Sequence, residues 1–153
     1  MILSFFMLVV LVLGTVGYGF IYSGSSSNAA QEENGISQAQ SLSLSYPQET
    51  VREIPVEITL ALNNYIGKTI YISSKNPQVT REIAANLGKH SARVQEACYG
   101  SCSEDLPEKD CSENLIVWED SIENKVYQEE NCIFIQGDIR AVDAFLYKIL
   151  GFQ

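Results

Sequence analysis

The chain starts with an uncharged apolar stretch, MILSFFMLVVLVLGTVGYGFIY, which begins at Met1 and ends at Tyr22. A bilayer core about 30 Å thick is crossed by roughly 20 apolar residues in a helix, so this stretch is long enough to span a membrane. We therefore predict an N-terminal transmembrane helix that acts as a signal anchor. A cleavable signal peptide is the alternative, because residues 27–30 include small side chains, but the apolar core of a signal peptide usually has only about 7–15 residues.

The charges that follow this stretch indicate its orientation. The first charged residues after it are Glu32 and Glu33, and no basic residue occurs before Arg52. Cytoplasmic flanks of membrane helices are normally enriched in Lys and Arg. The sequence therefore predicts a single-pass protein of the cell membrane whose C-terminal domain lies outside the cytoplasm.

Composition divides the remainder of the chain in two. Residues 23–50 are rich in Ser, Asn, Gln and Gly, with too little apolar surface to offset the entropy of ordering them, so we predict a flexible polar tether. Alternating Leu42, Leu44 and Tyr46 are also compatible with a short edge strand. Residues 51–153 have the size of one domain with one hydrophobic core, and we predict an extracytoplasmic α/β domain there.

Four cysteines occur, all of them within the predicted domain: Cys98, Cys102, Cys111 and Cys132. An even number of cysteines in an exported domain predicts two disulfides, and three pairings are open. A structural zinc site is the alternative, because Cys98 and Cys102 are followed by Cys111 at a spacing loosely compatible with thiolate ligands. Zinc sites usually show paired short spacings, however, and Cys132 has no near neighbour, so we favour disulfides.

Hydrophobic periodicity predicts an α/β or α+β fold, in which a small mixed sheet of three to four strands is covered by two to three helices. The expected elements are a helix over residues 56–66, a strand over 69–73, a helix from Pro77 to Gly88, a polar loop over 89–113, strands over 115–118, 126–128 and 132–135, and a helix from Asp138 to Gly151. A strand with Val56, Ile58 and Leu60 on one face is the alternative to the first helix.

The order of these elements from Gly67 to Gly151 resembles domains of archaeal surface-layer proteins and of the short membrane-anchored proteins related to them. The matching features are a strand that runs into a polar loop and a helix (69–87), two strands joined by a turn (115–135), and a Gly-Asp pair, Gly137 and Asp138, before a closing helix. The chain departs from the pattern at residues 73–77, where relatives tend to have glycines. The resemblance implies a cell-envelope domain and brings no catalytic residues.

The charge and the motifs argue against several function classes. The formal net charge is −9, which is a poor match for nucleic acid. His90 is the only histidine, and nothing near it marks a nucleophile. The acidic residues between Glu104 and Glu113 lack the spacing and the turn glycine of a calcium-binding loop, so we interpret them as a solvated loop. We predict no metal and no cofactor.

Two aromatic residues, Trp118 and Tyr127, flank a predicted turn and would suit a binding surface, but strand aromatics pack into cores more often. The sequence therefore predicts a non-enzymatic structural or partner-binding module of the cell envelope, attached to the membrane through residues 1–22, with another envelope protein as its partner. A membrane-tethered hydrolase or thiol-redox enzyme is the alternative, but the chain has no Cys-x-x-Cys motif.

Overall fold

The computed structural model describes residues 42–152, which form a mixed α+β domain. No helix within these residues has the length and apolar character needed to cross a membrane. The transmembrane helix predicted for residues 1–22 lies outside the described residues, as does most of the predicted tether.

The domain contains three helices, one turn of 3₁₀ helix and eight strands. In chain order they are α1 (Gln48–Val51), β1 (Val56–Glu57), the 3₁₀ turn (Leu62–Asn64), β2 (Thr69–Ser73), α2 (Pro77–Leu87), β3 (Arg93–Glu96), β4 (Cys98–Tyr99), β5 (Glu108–Lys109), β6 (Leu115–Glu119), β7 (Lys125–Glu129), β8 (Cys132–Gln136) and α3 (Ile139–Ile149).

Six of the strands form one sheet in the order β1-β7-β8-β6-β2-β3, and β4 pairs with β5 separately. The β7–β8 hairpin is antiparallel, and all the other neighbours in the large sheet are parallel. The prediction of a mixed sheet covered by helices is confirmed, but the sheet has more strands than the three to four expected. The additional strands are the edges β1, which lies where a strand was the alternative to the predicted helix, and β3, which is too polar to show strand periodicity.

The two faces of the sheet carry two different hydrophobic clusters. Alternate strand residues such as Ile70, Ile116 and Ile133 point towards α2 and α3 and form the main core with them. Their strand neighbours, including Leu115 and Phe134, point the other way and form a second cluster beneath the cysteine-bearing loop. The sheet therefore lies between a helical layer and a disulfide-bonded loop.

The predicted helix over residues 56–66 is wrong. Val56 pairs with Val126 in the sheet, and the side-chain oxygen of Gln128 accepts hydrogen bonds from the backbone N–H groups of Thr59 and Leu60. The apolar residues of this segment therefore alternate along an extended chain and pack against the main core, as the alternative interpretation expected. Pairing with a neighbouring strand overrides the helical spacing, since a short segment has little intrinsic helix stability.

The predicted starts of α2 and α3 are confirmed. The Asn76 side chain accepts a hydrogen bond from the N–H group of Gln78, with Pro77 at the first helical position. Asp138 accepts from the N–H group of Arg140 in the same way. These caps satisfy backbone donors that have no partner inside the helix, so they fix where each helix begins.

Candidate functional site

The four cysteines form two disulfides, as the sequence predicted. Cys98 is bonded to Cys102 with a Cα–Cα distance of 6.1 Å, and Cys111 is bonded to Cys132 with a distance of 4.9 Å. The first bridge closes a small turn after β4, and the second fastens the loop to the start of β8. Within residues 42–152, potential metal ligands come together at Cys98, Cys102 and Glu104, but these two sulfurs are bonded to each other and offer no thiolate.

The loop between the disulfides is anchored to the sheet by one lysine. The Nζ atom of Lys109 lies 3.2 Å from Oε1 of Glu113 and 4.4 Å from the centroid of the Tyr71 ring. The hydrogen bond to Glu113 raises the pKa of Lys109. The ammonium group of Lys109 therefore lies between the face of the Tyr71 ring and the carboxylate of Glu113, and both groups attract a cation.

Three aromatic rings lie in contact on the same face of the sheet. Tyr127 stacks on Phe134 with ring centroids 5.1 Å apart, and Tyr99 meets Phe134 edge to face at 5.3 Å. Tyr99 is 42% exposed, whereas Phe134 is buried. Trp118 packs against the main core on the opposite face, so the two aromatics that the sequence considered together are separated by the sheet.

The chain segment that includes Tyr99 and Tyr127 is strongly acidic. Residues 96–130 carry eleven acidic and two basic side chains, whereas the other described residues carry six acidic and eight basic ones. Burial raises the pKa of Tyr127, and the neighbouring carboxylates of Glu129 and Glu119 raise it further. Asp110, Glu129 and Glu130 lie beside Tyr99, so negative charge borders these rings.

Two concave regions meet at Tyr99. A hollow of about 420 Å³ is lined by Tyr99, Asp110, Cys111, Ser112, Glu129 and Glu130. A wider groove of about 890 Å³ runs past the carboxyl ends of β2 and β6, where Ser73 and Glu119 lie. We call the surface formed by Tyr99, Tyr127, Phe134, Glu129 and Glu130 the disulfide-side face. Sequence analysis missed Tyr99, because a single tyrosine in a polar loop shows no periodicity.

His90 lies near the amino ends of β2 and β3. Its carbonyl oxygen accepts a hydrogen bond from the N–H group of Gly67, just before β2, and nearby Ala92 donates to the carbonyl of Lys68. The groove lies beyond the carboxyl end of β2. This strand has five residues, each of which advances the chain by about 3.3 Å, and its length separates the groove from His90. The groove serines and the Cys98–Cys102 bridge are therefore not placed for a Ser/His/Asp or Cys/His arrangement with His90, and Cys111 and Cys132 are bonded to each other and offer no thiol.

Comparisons with protein-family models, curated proteins and solved structures give no match to this chain.

Proposed function

We propose that this chain is a non-enzymatic, membrane-anchored module of the cell envelope that binds a partner protein through its disulfide-side face. The observation that carries the proposal is the joint placement of exposed Tyr99, its neighbouring rings and the acidic side chains of Asp110, Glu129 and Glu130 around one hollow. A functional argument must rest on such a site and not on the fold alone.

The location outside the cytoplasm is supported by two independent features. Disulfides form and persist in oxidising compartments and are rare in the cytosol, and this domain contains two. The apolar stretch at residues 1–22 has the length and the absence of charge expected of a membrane anchor. The acidic flank that follows it favours the extracytoplasmic side for the domain.

Protease treatment of intact cells tests this location. We expect added protease to remove the folded domain without lysis, while a cytoplasmic marker protein in the same cells stays intact. Survival of the domain until the cells are lysed would contradict the orientation. Recovery of a mature chain that begins near residue 30 would contradict the anchor and favour a cleaved signal peptide.

The partner that fits the disulfide-side face is a protein segment that carries Lys or Arg among apolar residues. The carboxylates attract its cations, and the exposed ring of Tyr99 offers a face for cation–π contact. The domain uses this chemistry within itself, because Lys109 lies over Tyr71 and Lys125 lies 5.8 Å from the centroid of Tyr127.

Binding of the full chain in detergent micelles to a peptide of alternating Arg and Leu tests this partner class. We expect the double variant Glu129→Gln, Glu130→Gln to weaken binding about three- to tenfold, since each removed charge contributes modestly at a solvated surface. Added salt should weaken wild-type binding as well. Tyr99→Ser should weaken it further through loss of the ring.

The matched control is the double variant Glu49→Gln, Glu53→Gln, which removes the same charge near α1. We expect it to bind the peptide as the wild type does. Equal loss in both double variants would show that only net charge matters and would contradict a specific face. Equal binding of a peptide with Glu in place of Arg would contradict the partner class while leaving the protease result untouched.

A further inference from the structure

Residues 42–46, which we call the strap, lie along α2 and α3 without pairing with any strand of the described domain. Side-chain oxygens of the two helices accept hydrogen bonds from backbone N–H groups of the strap. The bonds run from Ser43 to Asn86 Oδ1 at 3.0 Å, from Ser45 to Glu82 Oε1 at 2.7 Å and from Tyr46 to Asp143 Oδ2 at 2.7 Å.

Other contacts complete the attachment of the strap. The Nδ2 group of Asn86 donates to the carbonyl oxygen of Ser43, and the Ser45 hydroxyl contacts Oε2 of Glu82 at 2.8 Å. Leu42 and Leu44 pack beside Val51. The strap is therefore an ordered part of the domain, although sequence composition assigned it to the tether.

Two acidic side chains meet beneath the strap. Asp143 on α3 is fully buried, Glu82 on α2 is 7% exposed, and the two carboxyl groups are neighbours, since they accept hydrogen bonds from the adjacent N–H groups of Tyr46 and Ser45. The Oδ1 atom of Asp143 has no hydrogen-bond donor from the described residues. A carboxyl pair in this arrangement is favourable when it holds a proton and unfavourable when both groups are charged.

The charged and titratable groups around the pair do not neutralise it. From α2, Arg81 borders the strap but lies exposed. From α3, the Tyr147 hydroxyl donates a hydrogen bond to the carbonyl oxygen of Tyr46, and Glu49 of α1 lies nearby. Arg140, also on α3, forms an ion pair with Asp138 at 2.6 Å. None of the ion pairs within residues 42–152 includes Glu82 or Asp143.

We propose that the strap is a latch controlled by the proton shared between Glu82 and Asp143. The latch is closed while the pair holds the proton, and it loosens when both carboxyl groups are charged and repel each other. Loosening exposes the pair to water, which screens the repulsion. If the membrane anchor proposed above is correct, release of the strap also lengthens the tether by five residues, at most about 3.3–3.6 Å each.

The direction of the pH effect follows from Asp143. Burial, and then the hydrogen bond and charge of Glu82, raise its pKa from 3.8 to about 8. A pKa raised in the closed state means that closure is favoured by protonation. The contribution of this group to closure is therefore fully present below about pH 3.8 and is lost progressively as the pH rises towards 8.

Amide hydrogen exchange of the full chain in detergent micelles, corrected for the intrinsic pH dependence of exchange, tests the latch. We expect the protection of the Ser45 and Tyr46 amides to be at least about tenfold lower at pH 9 than at pH 6. Asp143→Asn should abolish this difference and keep the strap protected at pH 9, because an amide can donate to Glu82 and accept from Tyr46 without charge.

Glu82→Gln provides a second variant of the pair and should also flatten the pH dependence. Glu53→Gln, which changes an exposed carboxylate near α1, is the control and should behave as the wild type does. Protection that is independent of pH in the wild type overturns the proposal. It is also overturned if both Asp143→Asn and Glu82→Gln keep the wild-type pH dependence, because the responsible group then lies elsewhere. Protected core amides in both variants show that they are folded.

Discussion

Replacing Cys111 and Cys132 together with alanine is expected to lower the free energy of unfolding by about 3 kcal/mol. The bridge joins residues 21 apart in sequence and constrains the denatured chain over that whole loop. It also fastens the loop to β8, where Cys132 is fully buried among residues of the second cluster. Loss of the bridge thus removes both a restraint and part of the cover of the sheet.

The matched control replaces Cys98 and Cys102 with alanine. Their bridge spans a sequence separation of only 4, and the smaller loop gives about 1 kcal/mol less stabilisation. Urea unfolding of the full chain in micelles measures both effects through the fluorescence of Trp118, the single tryptophan, which packs against the main core. An equal or larger loss in the Cys98, Cys102 variant would contradict this account.

Gly137→Ala is expected to cost about 2–4 kcal/mol of stability, through backbone strain and a lost hydrogen bond. Gly137 joins β8 to α3 with a backbone φ of +118°, a value that residues with a side chain rarely adopt. An added Cβ would lie 1.9 Å from Oδ1 and 2.8 Å from Cα of Asn124. That oxygen accepts a hydrogen bond at 2.8 Å from the N–H group of Asp138, which caps α3. The substitution therefore disturbs the turn and the helix start together.

Gly67→Ala separates the two causes. Gly67 also has a positive φ, of +68°, but an added Cβ there would meet no atom within 4 Å. This variant should lose only the backbone contribution, about 1 kcal/mol. The same urea experiment compares the two variants. Equal losses at Gly67 and Gly137 would contradict the contact with Asn124 as the main cause.

The elements that sequence reasoning predicted correctly have local signals. The strand β2 is a run of β-branched and aromatic residues, and both long helices combine an apolar face with a capping residue, Asn76 or Asp138. The existence of two disulfides followed from the even number of cysteines. These features depend on residues that lie close together in the chain, so spacing alone reveals them.

The candidate interaction surface and the latch lacked such signals. Tyr99 and Phe134 are distant in sequence. They meet only because β4 lies against the face of the sheet to which Phe134 of β8 points. Asp143 is surrounded by apolar residues of α3, but its burial depends on the strap, which the composition of residues 23–50 gave no reason to place there.

By itself, the sequence determined the apolar N-terminal stretch, the acidic charge, the two long helices and the central strands, because periodicity, caps and composition act over a few neighbouring residues. The tertiary structure alone decided the choice of strand over helix at β1, the edge strand β3, the pairing of the cysteines, the aromatic contacts and the carboxyl pair beneath the strap. Each of these depends on a partner far away in the chain, and the free energy that selects that partner comes from burial and pairing in the folded domain.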